Sequence, residues 1–156
     1  MNHLIEKFSR YVATLGPVGF IPFAPGTMAS LCAIPLYIWY RHALVKYSIN
    51  ETAATMLLLI ITFWIISAAK NTFREQDPDP IVMDEVIGIF ITLYHFPPHP
   101  VFIAIGFFYF RFFDILKPLG IESLQQLSGA WGILADDVAA ALLSNLALYY
   151  TIRLLF

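Results

Sequence analysis

Three short groups of charged residues interrupt otherwise apolar stretches of this sequence. A charge inside a bilayer or an apolar core costs several kcal/mol unless it is paired, so such groups mark a functional site. The groups are Asp84 with Glu85, then Arg111, Asp114 and Lys117, and finally Asp136 with Asp137.

The five carboxylates in these groups indicate divalent metal chemistry. Neighbouring carboxylates repel each other unless a cation neutralises them, and Mg²⁺ prefers carboxylate oxygens together with water and substrate phosphate. An alternative is that the acidic pairs sit at helix N-termini, where carboxylates are also favoured, although this does not explain Asp114. The candidate catalytic and metal-binding residues are therefore Asp84, Glu85, Asp114, Asp136 and Asp137.

Arg111, Asp114 and Lys117 are spaced by three residues within an apolar segment. This spacing places all three on one face of a helix. We interpret the face as a wet one that carries two cations and one carboxylate. The alternative is a salt bridge within the helix, with the Lys117 side chain reaching out to the membrane interface.

Residues 20–30 form an uncharged segment that is rich in proline and small side chains. Irregular backbone at membrane depth occurs only where protein or a wet cavity surrounds it, so this segment is a candidate lining of the site. Gly26 allows a ligand to approach the backbone, and Thr27 offers a hydroxyl at a helix N-terminus that suits anions. Ordinary helix capping by Thr27 is the alternative.

The composition indicates that membrane-embedded elements position these groups. The chain has 156 residues, of which 13% are charged and 59% hydrophobic, and its mean hydropathy is +0.72. A soluble domain carries about 25% charged residues, and this chain has too few to cover a globule. The net charge of −2 argues against a nucleic-acid partner. We expect residues 1–156 to form a single membrane-embedded domain.

The sequence pattern predicts an all-α fold, a single polytopic membrane helical bundle. Proline and glycine residues break residues 13–26 into a loop, which makes a broken loop–helix at the site. A further loop is expected over residues 70–80, and a connector over 121–132 includes a short helix. The predicted helices cover residues 27–45, 80–94, 101–117 and 133–155, with the clearest membrane signal at 53–69.

The N-terminus carries apolar residues at helical spacing, with charged residues on the other side. This pattern predicts an N-terminal helix lying in the membrane interface. The alternative is an amphipathic helix whose apolar face covers the protein's own core. The apolar residues are Leu4, Ile5, Phe8, Tyr11 and Val12.

Four segments in order resemble the successive motifs of the phosphatidylglycerophosphatase A family. They are residues 25–31 (PGTMASL), 81–88 (IVMDEVIG), 110–118 (FRFFDILKP) and 132–137 (GILADD). Ala29 and Gly120 depart from the family pattern, in which glycine and a second proline are usual, but every charged position is kept. The resemblance covers most of the chain, from about residue 15 to 145.

The resemblance implies an Mg²⁺-dependent lipid phosphatase that converts phosphatidylglycerophosphate, an anionic phospholipid, into phosphatidylglycerol and phosphate. It also implies a multi-pass protein of the bacterial inner membrane with a site facing the cytoplasm. The five carboxylates carry over as acidic site residues, Arg111 and Lys117 as phosphate-facing cations, and Thr27 with its neighbour Gly26 as part of the first motif. Two other functions stay open at this point: a small transporter or ion pathway, and a non-catalytic membrane subunit.

Overall fold

The computed structural model describes residues 3–70, 73 and 80–155, and it contains helices but no strands over these ranges. The all-α prediction is therefore confirmed. Two short 3₁₀ segments, Val18–Phe20 and Pro118–Gln126, connect longer helices. The α-helices are α1 (His3–Ala13), α2 (Pro25–Lys46), α3 (Glu51–Lys70), α4 (Met83–Thr92), α5 (Pro100–Leu116) and α6 (Ala130–Leu155).

Each predicted helix is present, with small shifts at its ends. Helix α2 begins at Pro25 rather than at residue 27, because proline at the first helical position lacks only an N–H that would be unpaired there. Helix α6 begins three residues before the predicted start and so includes Gly132. Most of the loop predicted over residues 70–80 lies outside the described residues.

Helix α4 is the short buried centre of the bundle. Almost all of its side chains are buried, and it packs against α2, α3, α5 and α6. Ten residues at 1.5 Å each make it about 15 Å long, about half the thickness of a bilayer core. Its N-terminal end carries Asp84 and Glu85, so the packing of α4 decides where these two carboxylates lie.

The C-terminal end of α4 is fastened by side chains from α2 and α6. The Tyr37 hydroxyl lies 2.6 Å from the Leu93 carbonyl oxygen and 2.7 Å from that of Phe96. The Asn145 amide nitrogen lies 2.9 Å from the Thr92 carbonyl oxygen, and it also contacts the carbonyl oxygens of Ile91 and Tyr94. These contacts pair the carbonyl groups that a helix leaves free where it ends.

Two of the described helices are long and apolar enough to cross a membrane: α3 with 20 residues and α6 with 26. Large apolar side chains of α3, among them Leu57, Ile60 and Trp64, point away from the bundle. A soluble protein buries such a surface, and its exposure here agrees with membrane association.

Helix α1 turns its apolar face outward. It packs on α3 and buries Ser9 and Ala13, whereas Leu4 is 78% and Phe8 66% exposed. The alternative that this face covers the protein's own core is therefore wrong. The exposed face is what a helix in the membrane interface requires, and that position stays a prediction.

Candidate active site

The site lies where the N-terminal ends of α2, α4 and α6 approach the C-terminal end of α5. A cavity of about 650 Å³ opens there. Six of the seven charged residues picked out from the sequence line it; Arg111 does not. The six are Asp84, Glu85, Asp114, Lys117, Asp136 and Asp137.

Asp84, Glu85 and Asp137 form a compact acidic triplet. Each offers a carboxylate oxygen, and these three oxygens lie within 4.8 Å of one another. Asp84 and Asp137 are buried. Glu85 Oε2 and Asp137 Oδ2 are buried with no hydrogen-bond partner among the described residues. Buried carboxylate oxygens without donors are costly, so this arrangement calls for a cation.

The electrostatics of Asp84 support this conclusion. Burial, followed by the charges of Glu85 and Asp137, raises the pKa of Asp84 well above its usual range. Three carboxylates this close together, two of them buried, match the oxygen-rich donor set of a hard divalent ion. The triplet therefore fits Mg²⁺ by its chemistry.

The other two acidic residues already have cationic partners. Lys117 Nζ forms an ion pair with Asp136 Oδ2. Arg111 Nη1 lies 2.9 Å from Asp114 Oδ2, so the salt bridge weighed from the sequence exists. The five carboxylates thus divide into two that are paired and a triplet that has no ion-pair partner among the described residues.

The prediction that Lys117 shares a helical face with Arg111 and Asp114 is wrong. Helix α5 ends at Leu116, and Lys117 takes a left-handed conformation (φ 43°) just after it. This turn directs Lys117 across to α6 rather than out to the interface. Burial alone would lower the pKa of Lys117, but the hydrogen bond and charge of Asp136 leave the pKa raised, which keeps a cation in the cavity.

Arg111 lies behind the cavity instead of in its wall. Besides Asp114, its Nη1 approaches the Ser30 hydroxyl at 3.5 Å, and Ser30 in turn donates to the Gly26 carbonyl at 2.8 Å. Arg111 therefore joins α5 to the start of α2. Of these two partners of Arg111, Asp114 lines the cavity and Ser30 does not.

Gly26 and Thr27 do not line the cavity. Ala24 is the N-cap of α2, so Thr27 lies in the first turn and the capping interpretation is wrong. A Cβ on Gly26 would overlap Glu85 Oε1. Gly26 therefore makes room for the Glu85 carboxylate. The sequence had instead predicted that it makes room for a ligand.

The helix-capping alternative fails for the pair on α6, since Asp136 and Asp137 follow six residues of regular helix. Asp84 combines both interpretations. It lies in the first turn of α4, where its Oδ1 accepts from the Glu85 N–H at 3.2 Å, and it also lines the cavity.

Some lining residues were not identified individually from the sequence. Phe20, Ile21 and Pro22 come from the segment expected to line the site, although they were not assigned a role. Gln125 lies in the 3₁₀ connector, where a single polar residue gives no sequence signal.

Comparisons with known proteins agree with this geometry. Residues 11–152 match the family model described as Phosphatidylglycerophosphatase A. No solved structure gives a significant match.

Three curated bacterial relatives are each 34% identical to this chain. Two are named Phosphatidylglycerophosphatase A: one from Escherichia coli (134 residues, 85% of this chain and 76% of the relative) and one from Haemophilus influenzae (134 residues, 84% and 80%). The third, from Bacteroides thetaiotaomicron, is named Putative phosphatidylinositol-3-phosphatase and aligns over 130 residues, 81% of this chain and 82% of its own. With the acidic cavity in place, these matches show that the chain belongs to the phosphatidylglycerophosphatase A family and is a lipid phosphatase.

Proposed function

We propose that the chain hydrolyses the phosphomonoester of phosphatidylglycerophosphate, with Mg²⁺ held by Asp84, Glu85 and Asp137. The observation that carries this proposal is the triplet of carboxylates, in one cavity with Lys117, with two buried oxygens that have no hydrogen-bond partner in the part of the chain that the structure describes. A cavity with that charge pattern suits a phosphate bound between a metal ion and an ammonium group.

In hydrolysis, water attacks phosphorus, the bond to the lipid oxygen breaks, and inorganic phosphate leaves. The ion would supply charge neutralisation and a more acidic water. Lys117 offers its ammonium group to the phosphate oxygens, where negative charge increases in the transition state. Asp136 holds Lys117 in the cavity, and Arg111 fixes the orientation of Asp114.

The choice of substrate follows from the family and from the names of two relatives. The name of the third relative refers to a different lipid phosphomonoester. Both lipids present a phosphate at the end of a headgroup, so the same carboxylates and lysine would serve either one. We place the protein in the bacterial inner membrane as a multi-pass protein, with the cavity facing the cytoplasm.

The test is phosphate release by the purified protein from phosphatidylglycerophosphate in detergent micelles, with Mg²⁺ and with EDTA. We expect release with Mg²⁺ and its loss with EDTA. Asp84→Asn, Asp114→Asn and Asp137→Asn should each lower kcat at least about a hundredfold. Glu122→Gln is the matched control, because Glu122 is an exposed acidic residue outside the cavity.

Several results would contradict the proposal. Activity near that of the unmodified protein in all three Asn variants would show that these carboxylates are not the active site. Full activity in EDTA would show that no metal ion is required. Faster hydrolysis of phosphatidylinositol 3-phosphate would show that this lipid, and not phosphatidylglycerophosphate, is the preferred substrate. No phosphate release from either lipid would favour a transporter or a non-catalytic subunit.

A further inference from the structure

We propose that an apolar rim around the cavity mouth, formed by Phe20, Ile21, Phe23 and Ile115, binds the acyl chains of the membrane lipid whose phosphate enters the cavity. We call these four residues the apolar lip. This inference rests on the proposed function and adds to it the surface that selects a long-chain lipid over a soluble phosphate ester.

The lip belongs to the cavity and to the outer surface at once. Phe20, Ile21 and Ile115 line the cavity, yet Phe20 is 53% and Ile115 67% exposed. Phe23 is 80% exposed and lies between the lining residues Pro22 and Pro25. Exposed apolar side chains from the loop before α2 and from α5 thus border a cavity whose lining includes six charged residues.

The loop that carries most of the lip is held firmly. Gly19 is buried, donates its N–H to the Thr14 carbonyl at 2.8 Å, and lies so close to Pro80 that a Cβ there would overlap the Pro80 carbonyl. At the other end, Ala24 takes a left-handed conformation just before α2 begins. The loop thus runs from a tightly packed Gly19 to the start of α2, and Phe20 and Phe23 on it are exposed.

The size of the cavity separates the headgroup from the chains. About 650 Å³ accommodates a phosphorylated glycerol headgroup with an ion and water, but not two long acyl chains as well. Once the phosphate reaches the triplet, the lipid must cross the lip. Contact there removes apolar surface from water at about 25 cal/mol per Å².

Charge beside the lip fits an anionic lipid surface. The Arg10 guanidinium lies over the Phe20 ring, 5.9 Å from its centroid, and over the Phe73 ring at 4.9 Å. Arg10 and Lys7 are exposed on α1, as is Phe8 on its apolar face. Cations beside exposed apolar side chains are typical of surfaces that bind anionic bilayers.

The first experiment compares two forms of phosphatidylglycerophosphate: dioleoyl lipid in mixed micelles and monomeric dihexanoyl lipid. In Phe23→Ser, and in the Phe20→Ser/Phe23→Ser double variant, the ratio of kcat/KM for the long-chain to the short-chain form should fall about tenfold. Trp39→Ser is the control, because Trp39 is 72% exposed on α2 and lies outside the cavity. Its ratio should stay within about twofold.

If the ratio of kcat/KM for the long-chain to the short-chain lipid were unchanged in the single Phe23→Ser variant, the proposed role of the lip would be wrong. Phe23 is so exposed that this variant should fold even if the double variant does not. Phe23→Leu, which keeps most of the apolar area, should restore the ratio.

A second measurement does not depend on turnover. In Phe23→Trp made with Trp39, Trp64 and Trp131 replaced by Phe and reconstituted into vesicles, brominated acyl chains should quench the remaining tryptophan fluorescence, and no quenching would contradict the lip. Quenching without phosphate release from either lipid would contradict the proposed function while leaving the lip in place. Phosphate release with an unchanged kcat/KM ratio and no quenching would support the proposed function and contradict the role of the lip.

Discussion

The carboxylates at the two ends of the bundle differ in whether they have hydrogen-bond and ion-pair partners. At the end away from the cavity, Glu51 forms an ion pair with Arg41 and accepts from the His95 backbone N–H at 3.1 Å, with the His95 ring nitrogen at the same distance. At the cavity end, Glu85 Oε2 and Asp137 Oδ2 lack any hydrogen-bond partner among the described residues.

The contrast separates structural polar groups from functional ones. A carboxylate whose donors are in place costs the fold little, whereas a buried one without donors destabilises the fold until a ligand arrives. The far end also has unpartnered atoms, Thr92 Oγ1 and Arg41 Nε. Neither is an unpaired charge, because Thr92 is neutral and Arg41 is paired with Glu51. Over the described ranges, carboxylate oxygens without a partner therefore distinguish the cavity end.

The largest expected effect comes from the same substitution made at both ends. Glu85→Gln should lower kcat at least about a hundredfold, while the metal-free protein unfolds at an equal or higher temperature because one repulsive charge of the triplet is gone. Glu51→Gln should destabilise the fold by about 1–3 kcal/mol, since it weakens the ion pair with Arg41. Its kcat should remain within about threefold. Phosphate release and thermal unfolding in EDTA measure the two effects.

Mg²⁺ binding provides the control for this pair. Because an ion that binds only the folded state raises its stability, Mg²⁺ should raise the unfolding temperature of the unmodified protein and of Glu51→Gln, but not of Glu85→Gln. If Glu85→Gln kept both its activity and its Mg²⁺ response, the division between the two ends would be wrong.

A smaller effect is expected from adding one methyl group at each end. Gly26→Ala places a Cβ onto Glu85 Oε1 and should lower kcat about tenfold by displacing the carboxylate. Gly106→Ala brings a Cβ to 2.6 Å from Leu93 Cδ2, a movable side-chain end. It should change the unfolding temperature while kcat stays within about twofold. Equal losses of activity in both variants would show that crowding anywhere in the bundle disturbs the site.

Charge placement in the sequence predicted most of the site, and packing explains what it missed. Charges are scarce in an apolar chain, so Asp84, Asp114 and Asp137 stood out without any structure. Periodicity predicted the helices but not the turn at Lys117, whose left-handed backbone redirects its side chain to Asp136. The partner of Gly26 is 59 positions away on α4, a contact that spacing along one segment does not reveal.

The smallest effect on activity is expected from the groups that fasten the C-terminal end of α4. Asn145→Leu removes an amide that contacts three carbonyl oxygens, and Tyr37→Phe removes a hydroxyl that lies near two. Each variant should lose about 1–3 kcal/mol of stability, because buried acceptors lose their donors. Helix α4 is also held by its buried apolar side chains, so kcat of the folded protein should stay within about threefold.

Measuring both kcat and the unfolding temperature also defines the result that would contradict this prediction. If Asn145→Leu lowered kcat as far as Glu85→Gln while the unfolding temperature stayed unchanged, the bonds at the C-terminal end would be positioning the carboxylates at the N-terminal end. Helix α4, ten residues and about 15 Å long, would then act as a rigid rod that transmits a small displacement from one end to the other. The far end would belong to the catalytic apparatus despite having no contact with the cavity. Stability loss with retained turnover instead assigns Asn145 and Tyr37 to the fold alone.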